Sequence, residues 1–192
     1  MNAVWELPFY YRLVCRLDLQ NDKRLVFLVN GLCLLIGVIM LIPLFFSKFL
    51  YHLMEQTENL LDCSLPLLVL GFSMIVYMVL HEWIHGLCIW YFSGRKANYG
   101  FTGLYAFAAS EAYFPKKPYI IIALAPIVVW GVILTVLLFF VTDVWFWVVY
   151  LIQVVNISGA AGDLYVTWRL SKLPKEILVR DSGVVMEVYS AE

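Results

Sequence analysis

Four long apolar segments, separated by polar connections, dominate the hydrophobicity pattern of the chain. They lie at about residues 25–46, 65–92, 119–141 and 144–170. At a rise of 1.5 Å per residue, each is long enough to cross a hydrocarbon core of about 30 Å as an α-helix. The pattern therefore predicts a single integral membrane domain over residues 1–192, with four transmembrane helices and a charged tail at residues 171–192.

The stretches before and between these segments are less regular. Residues 1–24 form a polar-aromatic lead, which we expect to contain a short interfacial helix. Residues 97–118 carry glycines among aromatic side chains, and alanines are mixed with aromatics from Tyr105 to Phe114. Glycine punctuation with aromatics favours a short two-stranded β element. An amphipathic interfacial loop is the alternative.

Lysine and arginine residues lie almost entirely on one side of the predicted helices, and only Lys48 falls on the other side. The positive-inside rule then places both termini and the β-like loop in the cytoplasm. The predicted fold class is an all-α polytopic membrane protein with four transmembrane helices and a small β-like cytoplasmic loop between helices two and three. The cations that decide the orientation are Arg12, Arg16, Lys23, Arg24, Arg95, Lys96, Lys116, Lys117, Arg169, Lys172, Lys175 and Arg180.

The amino-acid composition is typical of an integral membrane protein. Of the 192 residues, 63% are hydrophobic and 14% are charged, and the mean hydropathy is +0.85, which argues against a soluble domain. The net charge of −1 gives no bulk attraction to nucleic acid. The cysteines form no C-x-x-C pair, so we predict neither a disulfide framework nor a thiolate zinc site. The lead does not resemble a cleavable signal peptide, and we expect the first apolar segment to remain as a span.

The second apolar segment contains the sequence His81-Glu82-Trp83-Ile84-His85, which has the pattern H-E-x-x-H. On a helix this spacing puts both imidazoles on one face, where they can share a zinc ion, and Glu82 beside them can take a proton from water. Ionisable groups inside a spanning helix cost about 2.5 to 3.5 kcal/mol on insertion scales. That cost favours a functional site over a chance match whose polar residues pair with neighbours.

A catalytic zinc usually has three protein ligands, so the chain should offer a third donor at matching depth. His52, the remaining histidine, and Asp143 are on the wrong side by the predicted orientation. Glu111 in the β-like loop is one candidate. Asp163 in the fourth segment is the better one.

Asp163 lies about as far from Lys172 as His85 lies from Arg95, so both are roughly 14 Å inside their helix ends. Asn156 lies on the same helical face as Asp163, with small residues between them that permit close helix packing. The alternatives are an ion pair of Asp163 with a nearby cation such as that of Arg169, and ordinary interhelical packing for Asn156.

These residues in this order resemble a known group. The histidine motif in a span, the glycine-punctuated loop, Ala123-Leu124-Ala125-Pro126 and the stretch from Asn156 to Asp163 are similar to site-2-protease-type intramembrane zinc metalloproteases. The four-span size and the later residues Leu173-Pro174-Lys175 and Asp181 resemble, more closely, the small family described as putative zincin peptidases. The likeness covers about residues 65–185.

The resemblance implies that His81, His85 and Asp163 hold Zn²⁺ and that Glu82 acts as the general base. It places Asn156 where the protease group has an asparagine upstream of its ligand aspartate, and we expect Asn156 to help stabilise the oxyanion.

The function expected from the sequence is an HExxH-type intramembrane zinc metalloprotease that hydrolyses a peptide bond of a membrane-associated protein or peptide. The β-like loop would receive an unwound substrate by strand addition. The alternative is a non-enzymatic membrane protein with a structural metal or a site for a partner helix. A closed structural site would need a fourth ligand, for which Glu111 is the best candidate. A transporter is less favoured because the chain has no internal repeat. The sequence makes no prediction of oligomeric state.

Overall fold

The structure, a computed structural model, describes residues 3–46, 60–103 and 105–191, with the backbone alone described for residues 60–63 and 143. The connection that carries Lys48 and His52 lies outside the described residues. In chain order the elements are β1 Arg12–Asp18, α1 Lys23–Phe46, α2 Leu60–Ser93, β2 Asn98–Phe101, β3 Ala106–Pro115, α3 Lys116–Leu138, α4 Asp143–Gly159, α5 Ala161–Ser171, β4 Ile177–Asp181 and β5 Val185–Ser190.

Within the described residues, four helical segments are long and apolar enough to cross a membrane, as predicted. They are Lys23–Phe46, Ser64–Ser93, Lys116–Leu138 and Val144–Ser171. Their outer faces carry large apolar side chains with little protein cover, such as Phe27, Leu34 and Phe72, which are 82%, 69% and 70% exposed. Exposing this much apolar surface to water is unfavourable in free energy, whereas contact with lipid chains is not.

The fourth apolar segment, predicted as one span, consists of two helices with a single non-helical residue between them. Helix α4 ends at Gly159 and α5 begins at Ala161, with Ala160 between them at φ −83° and ψ 19°. Ala160 and Ala161 are each only 1% exposed, because small residues let this backbone pack closely against its neighbours. As a result Asp163 lies in the first turn of α5, where the helix dipole stabilises a carboxylate.

The sheet shows that the all-α prediction was wrong. Five antiparallel strands form one sheet in the order β1-β5-β4-β3-β2. Strands β2 and β3 lie in the stretch expected to hold a small β element, but they belong to this larger sheet. Strand β1 replaces the interfacial helix expected in the lead, and β4 and β5 fold from the tail that we described only by its charge.

The physical reason for the error is visible in the tail. Met186, Val188 and Ser190 of β5 are buried, and the residues between them are partly exposed. This alternation with a period of two is typical of a half-buried strand. The pairing partner of β5 is β1 at the other end of the chain, with Arg12 opposite Ser190. Local charge counts carry no information about such a distant pairing.

The sheet is held on the helices by a shared apolar core. Its buried members come from the sheet and from α2, α3 and α5, and full burial of each large one contributes about 1.5 to 3 kcal/mol. Among them are Ile89, Ala112, Phe114, Ile122, Leu170, Val179 and Val188. The sheet therefore covers the part of the bundle in which the histidine motif lies.

Candidate metal centre

The histidine motif lies on α2, and its two imidazoles lie one turn apart. Their ring centroids are 4.9 Å apart, and the two residues are 8% and 9% exposed. Asp163 approaches from α5: its Oδ2 is 3.5 Å from His81 Nε2 and its Oδ1 is 3.7 Å from His85 Nε2. The three ligand atoms lie within 4.8 Å of one another, and no other such group occurs among the described residues.

His85 is oriented by a backbone carbonyl. Its Nδ1 lies 2.8 Å from the oxygen of Ile122 on α3. Because a carbonyl oxygen only accepts, Nδ1 carries a proton, and in the neutral ring Nε2 is left as the nitrogen that can bind a metal. His85 is thus in the tautomer that binds a metal through Nε2.

The donor set fits a catalytic zinc. Two imidazole nitrogens and one carboxylate are ligands that Zn²⁺ takes in catalytic sites, where three protein ligands leave a position for water or substrate. Glu111, the alternative ligand, is not part of this group; it forms an ion pair with Arg180 on the sheet. The alternative partner of Asp163, Arg169, instead directs Nη2 toward Cys15 Sγ at 3.8 Å.

Glu82 lines the same cavity as the three candidate ligands. Its carboxylate accepts a hydrogen bond from the backbone N–H of Ala108 on β3. A carboxylate has about four acceptor positions, so this bond leaves the group able to accept a proton from water. The sheet therefore helps to orient the residue that sequence analysis assigned as the general base.

Asn156 does not line the cavity. It is fully buried, at 0% exposure, and its Nδ2 donates to Ile127 O at 3.3 Å and to Gln153 Oε1 at 3.4 Å. Its Oδ1 accepts from the Tyr77 hydroxyl at 3.0 Å, and that hydroxyl is 2.8 Å from His81 Nδ1. The structure thus places Asn156 behind His81, with its amide bonded to the protein on both sides.

The cavity has a volume of about 430 Å³ and lies between the helices and β3. Tyr77, Tyr119 and Asp181 also line it, although the sequence predicted a role for none of them. The Tyr119 hydroxyl donates to Asp181 Oδ2, and the N–H of Gly183 donates to Asp181 Oδ1 at 2.8 Å. Burial raises the pKa of the Asp181 carboxyl above its ordinary value, and the two hydrogen bonds oppose that rise. The role of Tyr77 could have been found in the sequence, because a residue four positions before His81 lies beside it on a helix.

The family described as "Putative zincin peptidase" matches residues 74–178, more than half of the 192-residue chain. The chain belongs to the putative zincin peptidase family. An uncharacterised 24.7 kDa protein of Pyrococcus woesei is 30% identical over 122 residues, which cover 59% of this chain and 51% of that relative. The chain thus spans about half the length of this relative. No solved structure matches it. Membership in this family supports a zinc-dependent peptidase.

Proposed function

We propose that this zincin-family protein is an intramembrane metalloprotease that hydrolyses a peptide bond of a membrane-associated protein or peptide. One observation carries the proposal: His81, His85 and Asp163 converge from two membrane-length helical segments beside Glu82 in one cavity. A zinc ion held by these three residues would supply Lewis-acid chemistry toward water and the substrate carbonyl. Glu82 accepts the proton of the attacking water and returns it to the leaving amide nitrogen.

The open edge of β3 supports a binding mode for the substrate. Thr102 N–H donates to Tyr105 O at 2.9 Å in the β2–β3 turn. In an antiparallel pair, every second residue after Tyr105 then forms backbone hydrogen bonds with β2. Ala106 and Ala108 then direct their N–H groups away from β2. The Ala108 N–H reaches Glu82, whereas the Ala106 N–H lies on an edge whose described pairs with β4 begin only at Ser110. An unwound substrate strand can add along this edge, beside Glu82.

The proposed orientation places the sheet and both termini in the cytoplasm. One sheet contains strands that precede α1, lie between α2 and α3, and follow α5. This supports placing all three segments on the same side of the membrane. The excess of lysine and arginine in those segments then favours the cytoplasmic side. A closed structural metal site is less well supported, because Glu111 is paired with Arg180 and is not part of the ligand group.

The test uses the full chain, purified in detergent and then reconstituted in liposomes. Zinc analysis should give about one ion per chain, as expected for a His₂-carboxylate site, and His81→Ala, His85→Ala and Asp163→Ala should each lose it. Cleavage is measured on a single-span model substrate whose helix contains glycine and proline, which ease unwinding.

Glu82→Gln should retain zinc but cleave about 10²- to 10⁴-fold more slowly, because it loses the general base. His85→Ala is the matched control and should lose both zinc and cleavage. A wild-type protein that binds zinc but cleaves no faster than Glu82→Gln would favour the structural-metal alternative. A wild-type protein without zinc would overturn the proposed site.

A further inference from the structure

A chain of polar side chains lies behind His81, on the side away from Asp163. Tyr77, one helical turn before His81 on α2, is 7% exposed, and Asn156 on α4 is 0% exposed. The Tyr77 oxygen is 2.8 Å from His81 Nδ1 and 3.0 Å from Asn156 Oδ1. Among the described residues, Tyr77 is the hydrogen-bond partner found for His81 Nδ1. The zinc chemistry proposed above does not use either Tyr77 or Asn156 directly.

The direction of each hydrogen bond in this chain follows from its far end. Asn156 Nδ2 faces two acceptors, the Ile127 carbonyl at 3.3 Å and Gln153 Oε1 at 3.4 Å. The amide oxygen of Asn156 must therefore face Tyr77, and an amide oxygen only accepts. The single hydroxyl proton of Tyr77 is committed to Asn156.

The tautomer of His81 follows from this hydrogen bond between Tyr77 and Asn156. Toward His81 the Tyr77 oxygen has only lone pairs to offer, so His81 Nδ1 must donate its proton. When the ring is neutral, Nε2 is then the nitrogen with the free lone pair, and this atom lies 3.5 Å from Asp163 Oδ2. His85 obtains the same tautomer from a backbone carbonyl, that of Ile122. For His81, the side chains of Tyr77 and Asn156 take the place of the backbone carbonyl.

We propose that Tyr77 and Asn156 are positioning residues that hold His81 in the one neutral tautomer able to bind zinc through Nε2. The proposal rests on the metal site of the proposed function. It assigns Asn156 to the support of a ligand, in place of the contact with the oxyanion that the sequence suggested. Partners that fix the tautomer of a ligating histidine typically change metal affinity by 10- to 100-fold.

The experiment measures zinc affinity by chelator competition on the full-length protein in detergent. Tyr77→Phe removes the acceptor of His81 Nδ1 and should weaken zinc binding by about 10- to 100-fold. Tyr150→Phe is the matched control. The Tyr150 hydroxyl on α4 also joins two helices, because it donates to Met40 O on α1 at 2.5 Å, but neither residue contacts the candidate ligands. It should bind zinc like the wild type.

Asn156→Ala makes the sharper prediction. Without Asn156, the Tyr77 hydroxyl proton is free to turn to His81 Nδ1 and to favour the tautomer whose Nε2 carries hydrogen. Zinc affinity should fall at least as far as in Tyr77→Phe, whereas the double variant should bind no more weakly than Tyr77→Phe alone. Additive losses from the two single variants would contradict a shared chain.

The absorption spectrum of bound Co²⁺ gives a readout besides affinity. Tyr77→Phe should alter its d–d bands and Tyr150→Phe should not. If Tyr77→Phe folds and keeps wild-type zinc affinity and the wild-type cobalt spectrum, the inference fails while the proposed metal site stands. Equal losses in Tyr77→Phe and Tyr150→Phe would also overturn it, since they would report helix packing. A wild-type protein that binds no zinc would overturn both proposals.

Discussion

Asp163 and Asn156 are polar residues of the same apolar segment, but their surroundings are opposite. Asp163 faces the Nε2 atoms of His81 and His85 at 3.5 Å and 3.7 Å. Asn156 is fully buried, and its recorded hydrogen bonds all go to neighbouring protein groups. Their spacing on an uninterrupted helix predicts one common face, but the interruption at Ala160 separates them into two helices. Asp163 faces the cavity, whereas Asn156 lies behind the candidate ligand His81, beyond Tyr77.

Gly86, directly after the motif, gives a prediction at the same scale. A Cβ at this position would overlap the hydroxyl and ring of Tyr99 on β2. Gly86→Ala should therefore push the half-exposed Tyr99 ring away from α2 and destabilise the protein by about 1 kcal/mol, at the lower end of the cost of overpacking. The measurement is thermal unfolding in detergent, together with cleavage of the model substrate.

Gly71→Ala is the control for Gly86→Ala, because a Cβ there meets no atom within 4 Å. It lies on the same helix and should leave both stability and cleavage intact. Adding Tyr99→Ala to Gly86→Ala removes the overlapping ring and should restore part of the stability. If Gly86→Ala behaves like Gly71→Ala, the close contact with Tyr99 does not hold the hairpin in place.

At the scale of elements, β3 connects the sheet to the cavity. Its residues Ala106, Phe107 and Ala108 line the cavity, and the N–H of Ala108 reaches the Glu82 carboxylate. The described pairs of β3 with β4 begin at Ser110, so the first part of β3 has no partner on that side among them. A strand edge that is open beside a candidate general base is suited to hold an extended peptide.

Ala106→Pro tests that edge. Proline removes one N–H donor from the open side of β3 but leaves the bonds to β2 in place, because Ala106 directs its N–H away from β2. We expect slower cleavage of the model substrate, with an increase in KM, while zinc content stays at the wild-type level. Ala106→Ser keeps the donor and should cleave normally. Unchanged kinetics in the proline variant would argue against strand addition at this edge.

At the scale of the whole molecule, the two ends of the chain meet. Strand β1 pairs with β5 from Arg12 opposite Ser190 to Asp18 opposite Val185. This pairing joins the segment before the first span to the segment after the last one, and both lie in the sheet that covers the histidine motif. The bundle and the sheet therefore form one unit, in which the N-terminal and C-terminal segments both contribute to the surroundings of the site.

The orientation of this unit is tested by cysteine labelling in a variant without its native cysteines. Ser182→Cys lies in the β4–β5 turn and Thr142→Cys in the connection between α3 and α4, and both positions are exposed. An impermeant thiol reagent should label Thr142→Cys in intact cells. It should label Ser182→Cys only after the cells are permeabilised, because the positive-inside rule places the sheet in the cytoplasm. The opposite pattern would reverse the proposed topology.

The four apolar helices and the position of His81 and His85 on one helix face follow from local properties of the sequence. Segment length and hydrophobicity decide whether a helix can cross a membrane, and a spacing of four residues decides which side chains share a helical face. Neither property depends on residues far away in the chain. The alternation of buried and exposed residues in β5 could not be read in this way, because Val185 and Tyr189 are apolar but partly exposed and the polar Ser190 is buried.

Only the tertiary structure decided which carboxylate meets the two histidines, which residues stand behind them, and that three distant segments form one sheet. Asp163 and Glu111 were both candidates from the sequence. The contacts of Asp163 with His81 and His85, and the ion pair of Glu111 with Arg180, separated them. The placement of Asn156 behind His81, and of β1 beside β5, depends on contacts between residues far apart in the chain. Hydrophobic periodicity describes each element alone, so it carries no information about how elements meet.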